Sequence, residues 1–512
     1  MNKLSKFLKF LDNNIIKILL SIFIFLVPLW PKLPIKMINY TYIAIRFEDI
    51  YLVVMCLIFA VQLIRKKIKL NKTFLWLFIL YWLAVFASVL WGIFIGKTVD
   101  FYHLGLLHSL RRVEYMIVFF IASSVVNNKK DFFLFLNLFI TSVFIVGLYG
   151  LGQKYLGFPA VQTMNPEFAK GYILYLTPEA RISSTFAGHY DLASYLIFAI
   201  PIILSFYFYF KKNYFYLLIF VLSSIVLVDT SSRISFAAYV LTCLFFLFQI
   251  RKYFFTIFVV ILTIGLMYFS GDLAKRYLKT FQVKRILVNE KSGSVYINQN
   301  ITTKELPAGS FYVKLKDQTT ETTEQATEAA YVEYFKKQIV LEQANEATSS
   351  GEKLNTNEFN SLIASLSANL KAINTVVSDI SFATRLQIEW PRAIEAFKKN
   401  PILGSGPSSI TEATDNDFLR WLGEIGLLGT TLFLIILFSI IKKVYGQINE
   451  PVKENLLLSM GFIFGLLALL INAVYIDVFE ASKVAYTFWT IAGLYVGYFG
   501  IKFTNQKSKG IN

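Results

Sequence analysis

The chain has 512 residues, of which 56% are hydrophobic, 17% aromatic and 16% charged, with a formal net charge of +17. Apolar residues gathered in long runs at this composition exclude a water-soluble enzyme and point to a polytopic membrane protein. The two cysteines, Cys56 and Cys243, fall inside apolar runs, and His103, His108 and His189 lack HxxxH or CxxC spacing, which excludes a disulfide framework and a convincing zinc site.

A spanning helix needs roughly 20 mostly apolar residues. By that measure the sequence predicts about twelve spans, near Ile15 to Trp30, Asp49 to Ile64, Phe74 to Gly96, Val113 to Val126, Phe132 to Gly152 and His189 to Phe210, then Tyr214 to Val228, Arg233 to Ile250, Phe254 to Ser270, Phe418 to Ile441, Leu456 to Ile476 and Val484 to Lys502. The basic start, MNKLSKFLKF, lacks a small-residue cleavage site and reads as part of an uncleaved first span. Lys and Arg alternate between the links: Lys3, Lys6 and Lys9, then Arg65 to Lys72, Lys129 and Lys130, Lys211 and Lys212, Arg251 and Lys252, Lys442 and Lys443, and Lys507 and Lys509 share one side. Cytoplasmic links carry this excess, so both termini are expected in the cytoplasm. An anionic leaflet accounts for the positive charge, and nucleic acid is not needed as a partner.

The hydrophilic stretch from Gly271 to Asp417 is therefore expected on the outer face. Three parts follow: a membrane domain over 1–270, a large extracytoplasmic loop over 271–417 with an insert at about 288–377, and a second membrane segment over 418–512. In the loop, RILVNEKSGSVYINQN alternates apolar and polar residues and predicts a hairpin or small sheet. Gln318 to Gly351 reads as a solvated helix. From Glu358 to Phe397, Leu362, Ile363, Leu366, Leu370, Ile373 and Val377 recur at helical spacing and predict an amphipathic helical pair.

Charges near predicted spans are costly and mark candidate sites. Arg233, in LVDTSSRISF, is either paired with Asp229 at the interface or an anion clamp, since a guanidinium holds phosphate oxygens with a planar fork. Arg181 precedes the sixth span and invites the same reading, while His189 and Asp191 cap that helix. Arg111 and Arg112 lie outside against the positive-inside pattern, with Glu114 as a ready partner. Arg385 and Arg392 would share one helical face, with Pro391 between them, and Gly404 and Gly406 make a tight turn whose amides could approach an anion.

At Asp415, Asn416, nine residues, Gly426 and Gly429, with Glu424 before the first glycine, the chain resembles the O-antigen ligase and polymerase superfamily. Its signature there is a His, a polar residue, nine residues and GxxG. TRLQIEWPRAIEAFKKNPILGSG resembles the family's Arg, Trp and glycine segment, and TSSRIS its small-residue and Arg motif. The resemblance implies an all-α polytopic glycosyltransferase of the cytoplasmic membrane, working in cell-envelope polysaccharide and lipopolysaccharide biosynthesis. It would move a glycan from a polyprenyl-diphosphate donor to a sugar hydroxyl acceptor, with membrane lipids around it and without metal or cofactor. By motif position Arg233 and Arg385 would bind the diphosphate and Asp415 would be the base, with Arg181, Arg392, Asn416, Gly404 and Gly406 binding substrate. Asp stands where ligase relatives have His, with an unperturbed pKa near 3.9 against about 6.5, which tilts the expectation from strict ligase toward a polymerase or a divergent ligase. Asp415-Asn416-Asp417 also spells DxD, a metal motif in other glycosyltransferases, although two carboxylates at a helix start serve equally as caps. A transporter or flippase of lipid-linked glycans is the alternative and predicts broken helices.

Overall fold

The computed structural model describes residues 3–38, 44–163, 168–177, 180–211, 213–269, 273, 281–289, 295–296, 312–314, 370–378, 385–410, 414–446 and 453–509. The chain forms two compact units, one made of Met1–Ala274 with Trp390–Asn512 and the other of Lys275–Glu389.

The first unit is a helical membrane bundle. In order it holds α1 (Lys3–Leu29), α2 (Phe47–Ile64), α3 (Lys72–Phe94), α4 (Tyr102–Val125), α5 (Lys129–Tyr155), α6 (His189–Tyr209), α7 (Tyr214–Asp229), α8 (Arg233–Gln249) and α9 (Tyr253–Phe269), then α10 (Trp390–Lys399), α11 (Asp417–Tyr445), α12 (Lys453–Ala473) and α13 (Ser482–Lys509). Eight of these are long and apolar enough to cross a membrane, and α7, α8 and α9 are shorter apolar helices. With α4 they match the twelve predicted spans. The α4 helix runs for 24 residues from Tyr102, well ahead of the predicted start at Val113. Its Arg111, Arg112 and Glu114 interrupt the apolar run without interrupting the helix, because each finds a buried partner.

Several helices start on asparagine caps, as at Asn71, Asn128, Asn213 and Asn416, whose side chains accept amides of the first turn. Pairs of glycines four apart let two central helices approach closely. A Cβ on Gly461 or Gly465 of α12 would meet Ser205 or the Phe198 carbonyl of α6 at 2.5–2.6 Å. On α13, Gly493 and Gly497 stand equally close to the Phe119 and Ser123 carbonyls of α4. With no hydrophobic drive between helices in lipid, such close backbone packing supplies the contact. Short hairpins decorate the links: β1 (Pro34–Met37) with β2 (Ala44–Arg46), and β3 (Pro159–Ala160) with β4 (Leu174–Tyr175).

The second unit carries an antiparallel sheet of four strands in the order β6-β5-β8-β7, made of β5 (Phe281–Asn289), β6 (Val295–Tyr296), β7 (Tyr312–Lys314) and β8 (Leu370–Ser378). The expected hairpin is present, with Leu287 opposite Tyr296 and Val288 opposite Val295. The predicted helix over Leu370, Ile373 and Val377 is corrected: these residues lie in β8, paired along its length with β5. Ile373, Thr375, Val376 and Val377 are β-branched and favour a strand, and a four-residue apolar spacing fits either period. The predicted helix at Gln318 to Gly351 lies outside the described residues, as do Leu362, Ile363 and Leu366.

Candidate active-site cavity

One end of the bundle encloses a cavity of about 340 Å³ built wholly from the first unit. Its cations are Lys32, just after α1, Arg46, at the end of β2, Arg111 on α4 and Arg420 on α11. Its acids are Asp191 in the first turn of α6, Asp415 just before α11, and Asp477 and Glu480 in the link between α12 and α13. His108 of α4 completes the polar lining.

Most of these charges form buried pairs. Arg111 grips Asp49 with both terminal nitrogens, at 2.6 and 2.9 Å, and also reaches Glu114 at 3.2 Å and the Ala44 carbonyl at 3.2 Å. Arg112, behind the cavity wall, pairs with Glu424 and, at 3.0 Å, with Glu480. Arg420 pairs with Asp477 at 2.8 Å and stands 3.5 Å from Glu424. A buried ion pair is tolerated only when its remaining hydrogen-bond capacity is met, and the bidentate Arg111–Asp49 contact is of that kind. In the α12–α13 link, burial alone would raise the pKa of Glu480, but Arg112 and Arg420 outweigh it and hold the carboxyl below its ordinary range.

Asp477 shapes the segment that carries Asp415. Its carboxylate accepts the amides of Thr414 at 2.9 Å and of Asp415 and Asn416 at 3.1 Å, besides the Arg420 guanidinium. Asp415 takes a left-handed backbone there, with φ at 49°. Asn416 caps α11 by accepting the Leu419 amide at 3.0 Å. Asp417 is fully buried and returns the staple, accepting the Val478 and Phe479 amides at 2.8 and 3.1 Å. The two carboxylates of DxD are therefore used differently, one lining the cavity and the other anchoring backbone. Among the described residues no group of three His, Cys, Asp or Glu side chains is arranged to hold a metal ion.

The GxxG segment breaks α11. Gly426 sits at φ 61° and ψ −168°, a conformation reserved for glycine, and splits α11 into two half-helices. The backbone groups freed by the break are met by the turn at 400–406. Leu427 and Leu428 donate to the Pro401 and Ile402 carbonyls at 2.8 and 3.1 Å, while Ser405 and Gly406 donate to the Gly423 and Glu424 carbonyls at 2.8 and 2.9 Å. Irregular backbone at a membrane helix is tolerated when protein satisfies it in this way. Gly404 and Gly406 have φ of 76° and 94°. Their amides, expected to face an anion, donate instead to the Asn400 and Glu424 carbonyls, so this turn splices a helix break.

Within the first unit, Arg181, Arg233 and Arg392 are not among the residues that line the cavity. Arg181 is 2.8 Å from the His189 ring, beside the α6 turn that does line it. Arg233 opens α8 next to a polar chain in which Ser235 donates to Asn472 at 3.0 Å and Asn472 to Ser194 at 2.7 Å, tying α8, α12 and α6 together. Asp229, the expected partner of Arg233, forms a salt bridge with Lys154. Arg392 lies on α10, whose Ala393 and Ala396 pack on Ile410. Arg385 opens a π-helical turn, Arg385–Glu389, which is followed directly in the chain by α10, the helix that bears Arg392.

Sequence reasoning did not single out Lys32, Arg46, Arg420, Asp477 or Glu480. The last two carried a signal, being carboxylates in the short apolar link VYIDVFEAS. Residues 218–434 match the family model described as O-Antigen ligase. That segment contains Arg233, Arg385, Arg392, Gly404, Gly406, Asp415, Asn416 and Arg420, and leaves out Arg181, Lys32, Arg46, Asp477 and Glu480. No curated protein matches the chain.

Proposed function

We propose that this multi-pass membrane protein, which carries an O-antigen ligase domain over residues 218–434, transfers or polymerises a glycan from a polyprenyl-diphosphate donor onto a sugar hydroxyl. The reaction would run at the outer face of the cytoplasmic membrane, with both termini inside. The observation that carries the reading is the meeting of Asp415 with a cluster of cations in one cavity. The acceptor oxygen attacks the anomeric carbon, its proton passes to the Asp415 carboxylate, and the bond from sugar to diphosphate breaks. Fixed positive charge stabilises the diphosphate as it leaves, so the chemistry asks for no metal. Arg233 and Arg385 remain diphosphate candidates by motif position, and Arg181, Arg392 and Asn416 substrate candidates.

The break in α11 and the buried charges beside it also suit a transporter of the same donor. The purified protein would be reconstituted with a polyprenyl-diphosphate-linked oligosaccharide in the presence of EDTA and the products resolved by size. A ladder of lengthening lipid-linked chains supports polymerase, and dependence on added acceptor supports ligase. Asp415→Asn is expected to lose either product while inserting normally. Movement of intact donor across the bilayer without consumption would refute the transfer reading.

A further inference from the structure

Nothing in the matched segment accounts for the link between α1 and α2, yet two cavity cations come from it. Lys32 lies three residues past the end of α1 and Arg46 directly precedes α2; the β1–β2 pairing, with Pro34 opposite Arg46, brings these two ends of the link together. Their state differs from that of the other cations. Arg111 and Arg420 each face a carboxylate at hydrogen-bond distance, whereas Lys32 has a carboxylate, Glu48, only at 3.6 Å and otherwise donates to Ser482. Arg46 is 8% exposed, and among the described residues its Nε has no hydrogen-bond partner. Arg46 lines the cavity, where a ligand bringing several acceptor oxygens meets a planar, always charged fork.

The surroundings on the other side are apolar. Trp30 and Phe47, chain neighbours of these two cations, lie against each other with ring centroids 5.1 Å apart and are 42% and 40% exposed. From Trp30 an open apolar groove runs back along α1 past Leu29, Leu26, Phe25 and Ile22. Paired positive charge inside and an apolar track outside suit an amphiphile with an anionic head and an apolar tail, and the donor argued above makes that an isoprenoid diphosphate.

We propose that Lys32 and Arg46 form the diphosphate-binding end of the cavity, and that the isoprenoid tail leaves it over Trp30 and Phe47 along the α1 groove. The proposal rests on the donor class argued above and assigns its headgroup to residues outside the matched domain.

The probe is farnesyl diphosphate, with farnesol and inorganic diphosphate beside it, titrated calorimetrically into the purified full chain in micelles. Wild type is expected to bind farnesyl diphosphate more tightly than either fragment. Arg46→Gln and Lys32→Gln should each weaken it at least tenfold without lowering the unfolding temperature, and Arg46→Lys should recover part of the loss. Trp30→Ala should weaken farnesyl diphosphate and leave inorganic diphosphate unchanged. Unaltered binding in both glutamine variants overturns this assignment and leaves the donor class standing. A wild-type chain that binds no isoprenoid diphosphate overturns the donor class as well. Should a glutamine variant lose its fold, acylation of Lys32 in wild type decides, read by peptide mass spectrometry. Protection by farnesyl diphosphate supports the site, and equal labelling with and without it overturns the site.

Discussion

Replacing Asp477 by Ala removes the acceptor shared by three consecutive amides, those of Thr414, Asp415 and Asn416, at 2.9, 3.1 and 3.1 Å, together with the Arg420 contact at 2.8 Å. A hydrogen bond to a charged group contributes about 1.5–3 kcal/mol, so opening any one of these amides should become roughly ten- to a hundredfold easier. The left-handed backbone at Asp415, which costs about 1–2 kcal/mol in an L-residue, loses what holds it. Breaking the Arg420–Asp477 pair adds a global loss of about 3 kcal/mol, the low end for a buried pair because the Asp477 side chain is 12% exposed. Hydrogen exchange read by mass spectrometry on the protein in micelles separates the local effect from the global one. Exchange should accelerate most at 414–416, while the Val478 and Phe479 amides, which donate to Asp417, accelerate by no more than the global loss. Asp477→Asn, with one acceptor oxygen left, should fall between. Unchanged exchange at 414–416, or equal acceleration at 478–479, would show that Asp477 is not the anchor of the Asp415 segment.

Three further outcomes are expected. Gly426→Ala would force an alanine to φ 61° with its Cβ 2.3 Å from the Ile402 carbonyl oxygen, and should cost about 3 kcal/mol or more in thermal unfolding; a loss under about 1 kcal/mol would mean the break relaxes freely. Glu424→Gln leaves the Arg112 and Arg420 guanidinium groups short of a carboxylate and should cost about 3–5 kcal/mol, part of it recovered when Arg112→Met is added; strict additivity in that double-mutant cycle would refute the pairing. Burial and the nearby Arg46 push the Lys32 ammonium down to about 8, against Glu48, Asp49 and Asp191, and Lys483 also faces it. Because the folded value lies below the unfolded one, Lys32 makes the protein more stable as pH rises from about 8 toward 10.5. Over the same window the cavity loses a positive charge, so farnesyl diphosphate binding should weaken as stability rises, and Lys32→Arg should flatten the binding profile.

The bundle was legible because a span is a local property: about 20 apolar residues declare themselves without reference to anything else. The resemblance to a family motif was legible for a similar reason, since Asp415, Asn416, Gly426 and Gly429 are close in sequence. What their backbones do was less so. The glycines at 404 and 406 invite an anion nest by composition, and only the break at Gly426 reveals that their amides serve protein carbonyls. The start of α4 was missed because charges read as the end of a membrane helix unless their partners are known, and those partners, Asp49, Glu424 and Glu480, lie 62 to 368 residues away. The same distance hid the cavity. Lys32 and Ser482 touch across 450 residues, and no local pattern encodes such a meeting.

That long reach has a consequence for how the protein is made. Lys483, in the first turn of α13, donates to the Pro28, Trp30 and Thr185 carbonyls and so fastens the outgoing end of α1 to the segment before α6. The α1–α2 link emerges from the ribosome early, and the wall that meets it, Asp477 to Ser482, is synthesised more than 400 residues later. Until then Lys32 and Arg46 have Glu48 beside them but neither the Ser482 hydroxyl nor the Asp477 and Glu480 carboxylates. A nascent chain cut before α13 can insert most of its helices and still lack the wall that closes the cavity, which therefore forms only once Asp477 to Ser482 have been made.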